Sequence, residues 1–420
     1  MTLLLHRTTR ASWGLGIDIN CLKKNVAPSA EFNVEAPSAR ITWIANFVAP
    51  YDASMYQNLG DRLQDFRLLL STDMEKCRTW TPNLSLSNTR IQRTLSWTYQ
   101  SRHPHGFTET LQSHFPYDTI PLLLKEKPKV VISGEFGART LQALIYRFLR
   151  PGTRLIVRAT VSEVSEQGRD RLRNWLRHVV LDHADAVLVN GRSGAQYIRR
   201  FGVPLEKLFV VPYTTDMTFF ARVPLERPPQ AGLRLLYVGQ LIGRKGLIPF
   251  FDTLREWTLR HETRRVDLWI VGTGSLRDIL RKYALPSNVT VRFLGAVPYD
   301  DLPNMYAECG LLVFPTLADE WGLVVNEAMA AGLPVLGSVY SQAVEELVRD
   351  GHNGWHFRPD SQAEMYSALD RALNTSEAKM LEMRRNARKT VEYLIPSYAA
   401  DQILDAVRFV LSPRESNGRN

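Results

Sequence analysis

Cysteine is scarce in this 420-residue chain: Cys21, Cys77 and Cys309 are its only three, far apart in sequence. That excludes a disulfide scaffold and a thiolate zinc cluster, and it points to a reducing compartment. Long hydrophobic runs are also missing. No window approaches about 18 uninterrupted apolar residues, so no membrane-spanning helix is expected. The opening Met1-Thr2-Leu3-Leu4-Leu5 is broken at once by His6 and Arg7, too short an apolar run for a signal peptide. Neither zinc-finger spacing nor an RNA-binding aromatic signature is present, so nucleic acid is not an expected partner. Charge of one sign is nowhere concentrated in a run. The formal charge is +9, yet residues 1–220 carry 28 basic and 19 acidic groups while residues 221–420 carry 24 of each. The whole surplus lies in the first half, where it suits an anionic acceptor or an anionic membrane face.

What is present is an alternation of short apolar strands with helices. Ile41-Thr42-Trp43-Ile44-Ala45-Asn46-Phe47 reads as a strand and about 54–66 as a helix, while 78–120 resists assignment. From about 129 the pattern sharpens, with strands over 130–133, 155–157, 186–189 and 209–212 and helices over 137–149, 166–183 and 193–200. Pro224, Pro228, Pro229 and Gly232 mark an interdomain linker. A second alternation follows, with strands over 234–238, 266–271, 290–293, 311–314 and 334–337. Its helices read over 246–260, 275–283, 301–308, 324–331, 342–348 and 361–373. This predicts an α/β fold with two parallel-sheet domains: a peripheral segment 1–40, a first domain 41–220, a linker 221–232 and a second domain 233–390. After them come a helical stretch 391–412, broken near Pro396, and a disordered tail 413–420. Ligands of such sheets gather beyond the carboxyl ends of the strands, so the cleft between the domains is the expected site.

Three stretches of the second half carry chemistry. In the first, a strand ends at Gly239, a short loop holds Gly243, Arg244 and Lys245, and a helix starts after Gly246. Free amides and two cations there would neutralise a diphosphate, though Arg-Lys at a helix start is also an ordinary surface feature. In the second, Gly272 and Gly274 follow a strand in a tight turn that permits close backbone approach. The third is Asp319-Glu320-Trp321-Gly322-Leu323-Val324-Val325-Asn326-Glu327, a loop leading into a helix. Its acids can accept hydroxyl hydrogen bonds from sugars and riboses, or cap a helix start.

The order of these three motifs, completed by Ala328-Met329-Ala330-Ala331-Gly332-Leu333-Pro334-Val335, resembles the retaining glycosyltransferases of family 4. The likeness is strong over about 233–370 and loose over 41–215. It implies two facing Rossmann-like domains, the GT-B fold, and a hexosyltransferase-type enzyme needing neither metal nor other cofactor. The resemblance assigns Arg244 and Lys245 to the donor diphosphate, Asp319 to hydroxyls of the transferred sugar and Glu327 to the ribose. Gly322, Leu323 and Val324 would lend amides, Gly239, Gly243 and Gly272 would shape the donor site, and Arg292 to Val297, with Leu294, would border the base. The family pattern has Glu where Asp319 stands, so either Asp319 or Glu320 fills the first acidic role. The last helix is expected to cross back onto the first domain.

The first half says less. Tyr51, His103, His105, Glu135, Arg139 and Arg158 are acceptor-binding candidates, with loop placement the alternative for the histidines and helix capping for Glu135. Asp185 is expected to be structural and Asp216 to cap a turn or stand near the hinge. Taken together, the expectation is sugar transfer from a nucleotide sugar to a glycan, lipid-linked or other hydroxyl acceptor in polysaccharide or glycoconjugate biosynthesis. The chain is expected in the cytoplasm, with peripheral contact to an anionic membrane. An inactive nucleotide-sugar-binding protein of the same fold, or another enzyme on it such as a sugar-nucleotide epimerase, is the alternative.

Overall fold

The computed structural model describes residues 37–75, 88–168 and 171–413. The expectations for 1–36 and 414–420 lie outside the described residues. The first domain runs β1 (Ile41–Ala45), α1 (Pro50–Arg62), β2 (Phe66–Leu70), β3 (Thr89–Ile91), β4 (Thr94–Arg102), β5 (Thr108–Pro116), α2 (Thr119–Glu126), β6 (Val130–Gly134), α3 (Ala138–Leu149), β7 (Arg154–Ala159), α4 (Arg171–His183), β8 (Ala186–Val189), α5 (Arg192–Arg199) and β9 (Leu208–Val210). A short helix, α6 (Thr218–Ala221), opens the crossing to the second domain. That domain runs β10 (Arg234–Val238), α7 (Leu247–Arg260), β11 (Val266–Val271), α8 (Arg277–Arg281), β12 (Val289–Gly295), α9 (Leu302–Glu308), β13 (Leu311–Phe314), α10 (Leu323–Ala330), β14 (Val335–Ser338), α11 (Gln342–Leu347), β15 (Gly354–Phe357), α12 (Gln362–Leu373) and α13 (Glu377–Val391). The final helix is α14 (Pro396–Leu411).

Two parallel sheets result, in the orders β3-β2-β1-β6-β7-β8-β9 and β12-β11-β10-β13-β14-β15. Helices cover both faces of such sheets, which is why β1, β8, β13 and β14 are buried along their whole length and read as continuous apolar runs. In each sheet the strand order reverses once, between β1 and β6 and between β10 and β13. A ligand crevice opens at such a reversal, and the loops after β10 and β13 are the two richest in charged motif residues.

The crossing residues pack on the second domain: Arg227 donates to the carbonyls of Cys309 and Ala331 at 3.2 and 2.7 Å. Helix α14 returns to the first domain. It buries Ala399, Ala400, Ile403, Leu404, Val407 and Val410 in the core built on β1, β2 and α1. No helix among the described residues is long and apolar enough to cross a membrane.

The structure departs from the sequence reading at several places. Helix α1 stops at Arg62 rather than near 66, and the unread residues after it form β2. The unassigned stretch holds the antiparallel hairpin β4–β5, whose first strand alternates Leu95, Trp97 and Tyr99 with polar residues and leaves Leu95 and Trp97 exposed. Strand β15, helix α2 and helix α13 do not appear in the sequence reading, and residues 166–168, read as the start of a helix, are turn residues before α4.

Candidate functional site

The loop after β10 is shaped by its glycines. Gly246 has φ +67°, and a Cβ there would lie 2.0 Å from the Pro315 carbonyl oxygen. That closeness docks the loop onto the one after β13, and the Arg244 carbonyl accepts hydrogen bonds from Leu317 N–H at 2.8 Å and Thr316 Oγ1 at 3.1 Å. Arg244, Lys245 and Asp319 are thereby brought together. Lys245 is ion-paired with Asp319 Oδ2, and Arg244 lies 3.8 Å from Oδ1. Burial alone would raise the Asp319 carboxyl, but Lys245 and Arg244 overcome it and hold it below the usual carboxylate range. Burial lowers the Lys245 ammonium, with Asp319 opposing.

Glu320, the neighbour of Asp319, is solvent-accessible in the cleft. Enclosure there and the facing Glu135 carboxylate push it up to about 8. Gly322 turns the chain into α10, which presents Leu323 and Val324 in its first turn and Glu327 one turn on. Glu327 is buried and accepts a hydrogen bond from Tyr306 Oη at 3.2 Å.

Burial pushes the Glu327 carboxyl up to about 7, and the hydroxyls of Tyr306 and Tyr299 draw it back only in part. An acid raised on folding keeps its proton in the native chain where the unfolded chain has lost it. Its stabilising contribution is therefore complete below about pH 4.5 and is lost as pH rises through about 7. Glu327→Gln mimics the protonated form. It should match the parent in stability at about pH 4 and exceed it by roughly 1–3 kcal/mol at about pH 8, as measured by denaturant unfolding at both values. A difference independent of pH would contradict this assignment.

Not every expected residue joins the group. Gly239 and Gly272 close the strand ends beneath it. Leu294 and Val297 lie at and just beyond the end of β12, beside it in the sheet order. Arg292 stands within β12, half-exposed, where it pairs with Asp267 at 3.3 Å and lies over the Trp269 ring.

In the first domain, Glu135 opens the loop after β6 at φ +63°. Its carboxylate accepts from the Thr160 amide at 3.3 Å and from the Thr160 hydroxyl, and α3 starts without a side-chain cap. It is therefore not a helix cap. Arg139 is buried, donating to Ser71 Oγ and the Gly134 carbonyl at 3.3 Å each, and burial lowers it to about 10. Arg158 is committed elsewhere, to Asp52 at 3.0 Å and the faces of Trp43 and Tyr213. Tyr51 stands edge-on to Tyr213. His103 and His105 lie in the turn of the hairpin, His103 stacked on Phe107. Asp185 accepts from the Leu155 amide at 2.9 Å and pairs with Arg147, a structural role, and Asp216 caps Thr218.

Residues the sequence did not single out join the domains at this loop. The Glu320 carbonyl accepts from Asn190 Nδ2 of the first domain at 3.1 Å and from Gln342 Nε2 at 2.8 Å. Gln342 also donates to the Val161 carbonyl at 2.8 Å and accepts from the Gly194 amide at 3.0 Å. The loop carrying Asp319 and Glu320 is thus held by hydrogen bonds from both sides of the cleft.

The family profile described as glycosyl transferases group 1 matches residues 226–390, and that of the glycosyl transferase 4-like domain matches residues 53–214. The two profiles together span more than three quarters of the chain, a glycosyl transferase 4-like domain followed by a group 1 domain. As a GT-B member it has two Rossmann-like domains around the cleft described above. It is 32% identical over 142 residues to an uncharacterized glycosyltransferase of Methanocaldococcus jannaschii, covering 33% of this chain and 35% of that one. It is 26% identical over 227 residues to the alpha-D-kanosaminyltransferase of Streptomyces kanamyceticus, covering 51% and 58%. With the O-antigen chain mannosyltransferase B of Escherichia coli it shares 28% over 203 residues, covering 46% and 52%. The matched part thus spans less than two thirds of the length of each of these relatives. Among solved structures, Anabaena HepE in complex with UDP superposes with a TM-score of 0.63 at 16% identity, covering 88% of this chain and 99% of HepE. The lipopolysaccharide outer core galactosyltransferase WaaB, in its apo form, does so with a TM-score of 0.65 at 16% identity and the same coverage. At such identities the likeness concerns the fold alone.

Proposed function

We propose that this protein is a retaining glycosyltransferase that moves a sugar from a nucleoside-diphosphate sugar to a hydroxyl of a glycan or lipid-linked acceptor. The observation that carries the reading is the convergence of Arg244, Lys245, Asp319 and the start of α10 at the strand-order reversal of the second sheet, facing the first domain. The two cations and the amides of Gly322 to Val324 would hold the diphosphate, and Glu327 would accept the ribose hydroxyls. Asp319, kept ionised by Lys245, would accept a hydroxyl of the transferred sugar. Charge on the leaving diphosphate grows in the transition state, so the cations stabilise it more than the bound donor. The cleft would keep water from competing with the acceptor. Retention of anomeric configuration is inferred from the resemblance to family 4. Relatives named for O-antigen, colanic acid and amylovoran synthesis support an acceptor in polysaccharide assembly.

The test is donor turnover across a panel of UDP-, GDP-, ADP- and dTDP-sugars. One class should be consumed. Asp319→Asn should slow that consumption by about 10²-fold, whereas Glu320→Gln, which retains the neutral form of an acid already raised toward neutrality, should cost less than about tenfold. If no nucleotide sugar is consumed, the enzymatic reading falls. A larger loss in Glu320→Gln would move the sugar contact to Glu320.

A further inference from the structure

The cation assigned to the donor diphosphate is already paired across the cleft. Hairpin β4–β5 reaches from the first domain and lays three side chains on the second. His105 meets the Tyr340 ring, with centroids 5.1 Å apart. Phe107 packs on Gly243, where an added Cβ would stand 3.2 Å from Phe107 Cβ. Glu109 places Oε1 2.5 Å from Arg244 Nε. With Lys245 on Asp319, both cations assigned to the donor are paired with a carboxylate before any donor arrives.

A diphosphate and Glu109 need the same guanidinium. Arg244 also donates to the Ala318 carbonyl at 3.2 Å, which fixes its direction without Glu109. The Glu109–Arg244 pair is about a quarter exposed on each side (27% and 25%), so water can take over a displaced carboxylate. Next to it lies a cavity of about 210 Å³ lined by Ser101, Arg102, Glu109, Asp319 and Glu320, with room for that carboxylate to swing.

We propose that Glu109 is a positioning residue that competes with the donor diphosphate for Arg244, so that the hairpin of the first domain sets the affinity for nucleoside diphosphates and their sugars. Donor arrival breaks the Glu109–Arg244 ion pair and turns Glu109 into the cavity beside Asp319 and Glu320. The inference rests on the assignment of Arg244 to the diphosphate, and its test separates the two.

Calorimetric titration with UDP, GDP, ADP and dTDP identifies the nucleoside diphosphate bound by the parent protein. Glu109→Gln, which keeps shape and removes charge, should bind it about three- to tenfold more tightly. In an Arg244→Met background the same substitution should change affinity by less than about twofold, because the competitor has nothing left to compete for. A role confined to holding the hairpin in place would give weaker binding in Glu109→Gln, and that result, or unchanged binding, overturns the proposal. If the parent binds a diphosphate and Arg244→Met does not weaken it, the assignment of Arg244 falls and the proposal falls with it. Melting curves of all variants confirm that each is folded.

Discussion

Replacing Lys245 by Met should cut donor turnover by about 10²–10³-fold, more than any other single change at the site. Two effects act in the same direction. On the function proposed above, the leaving diphosphate would lose one of the two cations that meet its growing charge. Asp319 loses the partner that offsets its burial, so its carboxyl rises and accepts sugar hydroxyls less well. Methionine keeps the stem that runs beside Phe314, whose ring centroid lies 5.5 Å from the Lys245 ammonium, so packing is little changed. Single-turnover donor cleavage separates this from binding, because the rate constant at saturating donor should fall by more than the nucleotide affinity. A loss smaller than about tenfold in that rate constant would show that Arg244 alone suffices.

The second large effect is conformational. Gly272 has φ +131°, and a Cβ there would stand 1.9 Å from the Gly239 carbonyl oxygen, a backbone atom with no room to yield. Gly272→Ala should destabilise the protein by roughly 3–5 kcal/mol and abolish nucleotide binding by parting the ends of β10 and β11. Gly137 supplies the contrast. Its φ is −84° and an added Cβ would meet nothing within 4 Å, so Gly137→Ala should stay within about 0.5 kcal/mol of the parent. Urea unfolding of the two variants side by side checks both. Equal stabilities would show that the Gly239–Gly272 approach can relax.

The features legible in the sequence are local ones. Gly239, Gly243, Arg244 and Lys245 occupy one loop, Asp319 to Glu327 another, and each carries its own signature of glycine turn, paired cations or spaced acids. The strands β10 and β13 could be read for the same reason, since burial on both faces leaves apolar runs. What was missed depends on distance along the chain. Glu109 and Arg244 are 135 residues apart, and nothing near Glu109 marks it as the partner of a cation. Asn190 and Gln342 are single amides whose importance lies in sharing one carbonyl, that of Glu320. Tyr306 looks like an ordinary core aromatic until Glu327 is found against it. Arg292, placed by resemblance in the loop bordering the base, stands within β12 and pairs with Asp267.

Helix α14 has a consequence for how the chain is made. The core built on β1, β2 and α1 takes in the last helix of the second half. During synthesis from the amino end, the second domain has all of its own strands before that helix emerges. The first domain, begun earliest, is therefore completed last, and its apolar face stays open while some 300 further residues are added. A nascent chain of this kind is most vulnerable to aggregation late in translation, and its first domain gains its full stability only with the arrival of residues 396–411.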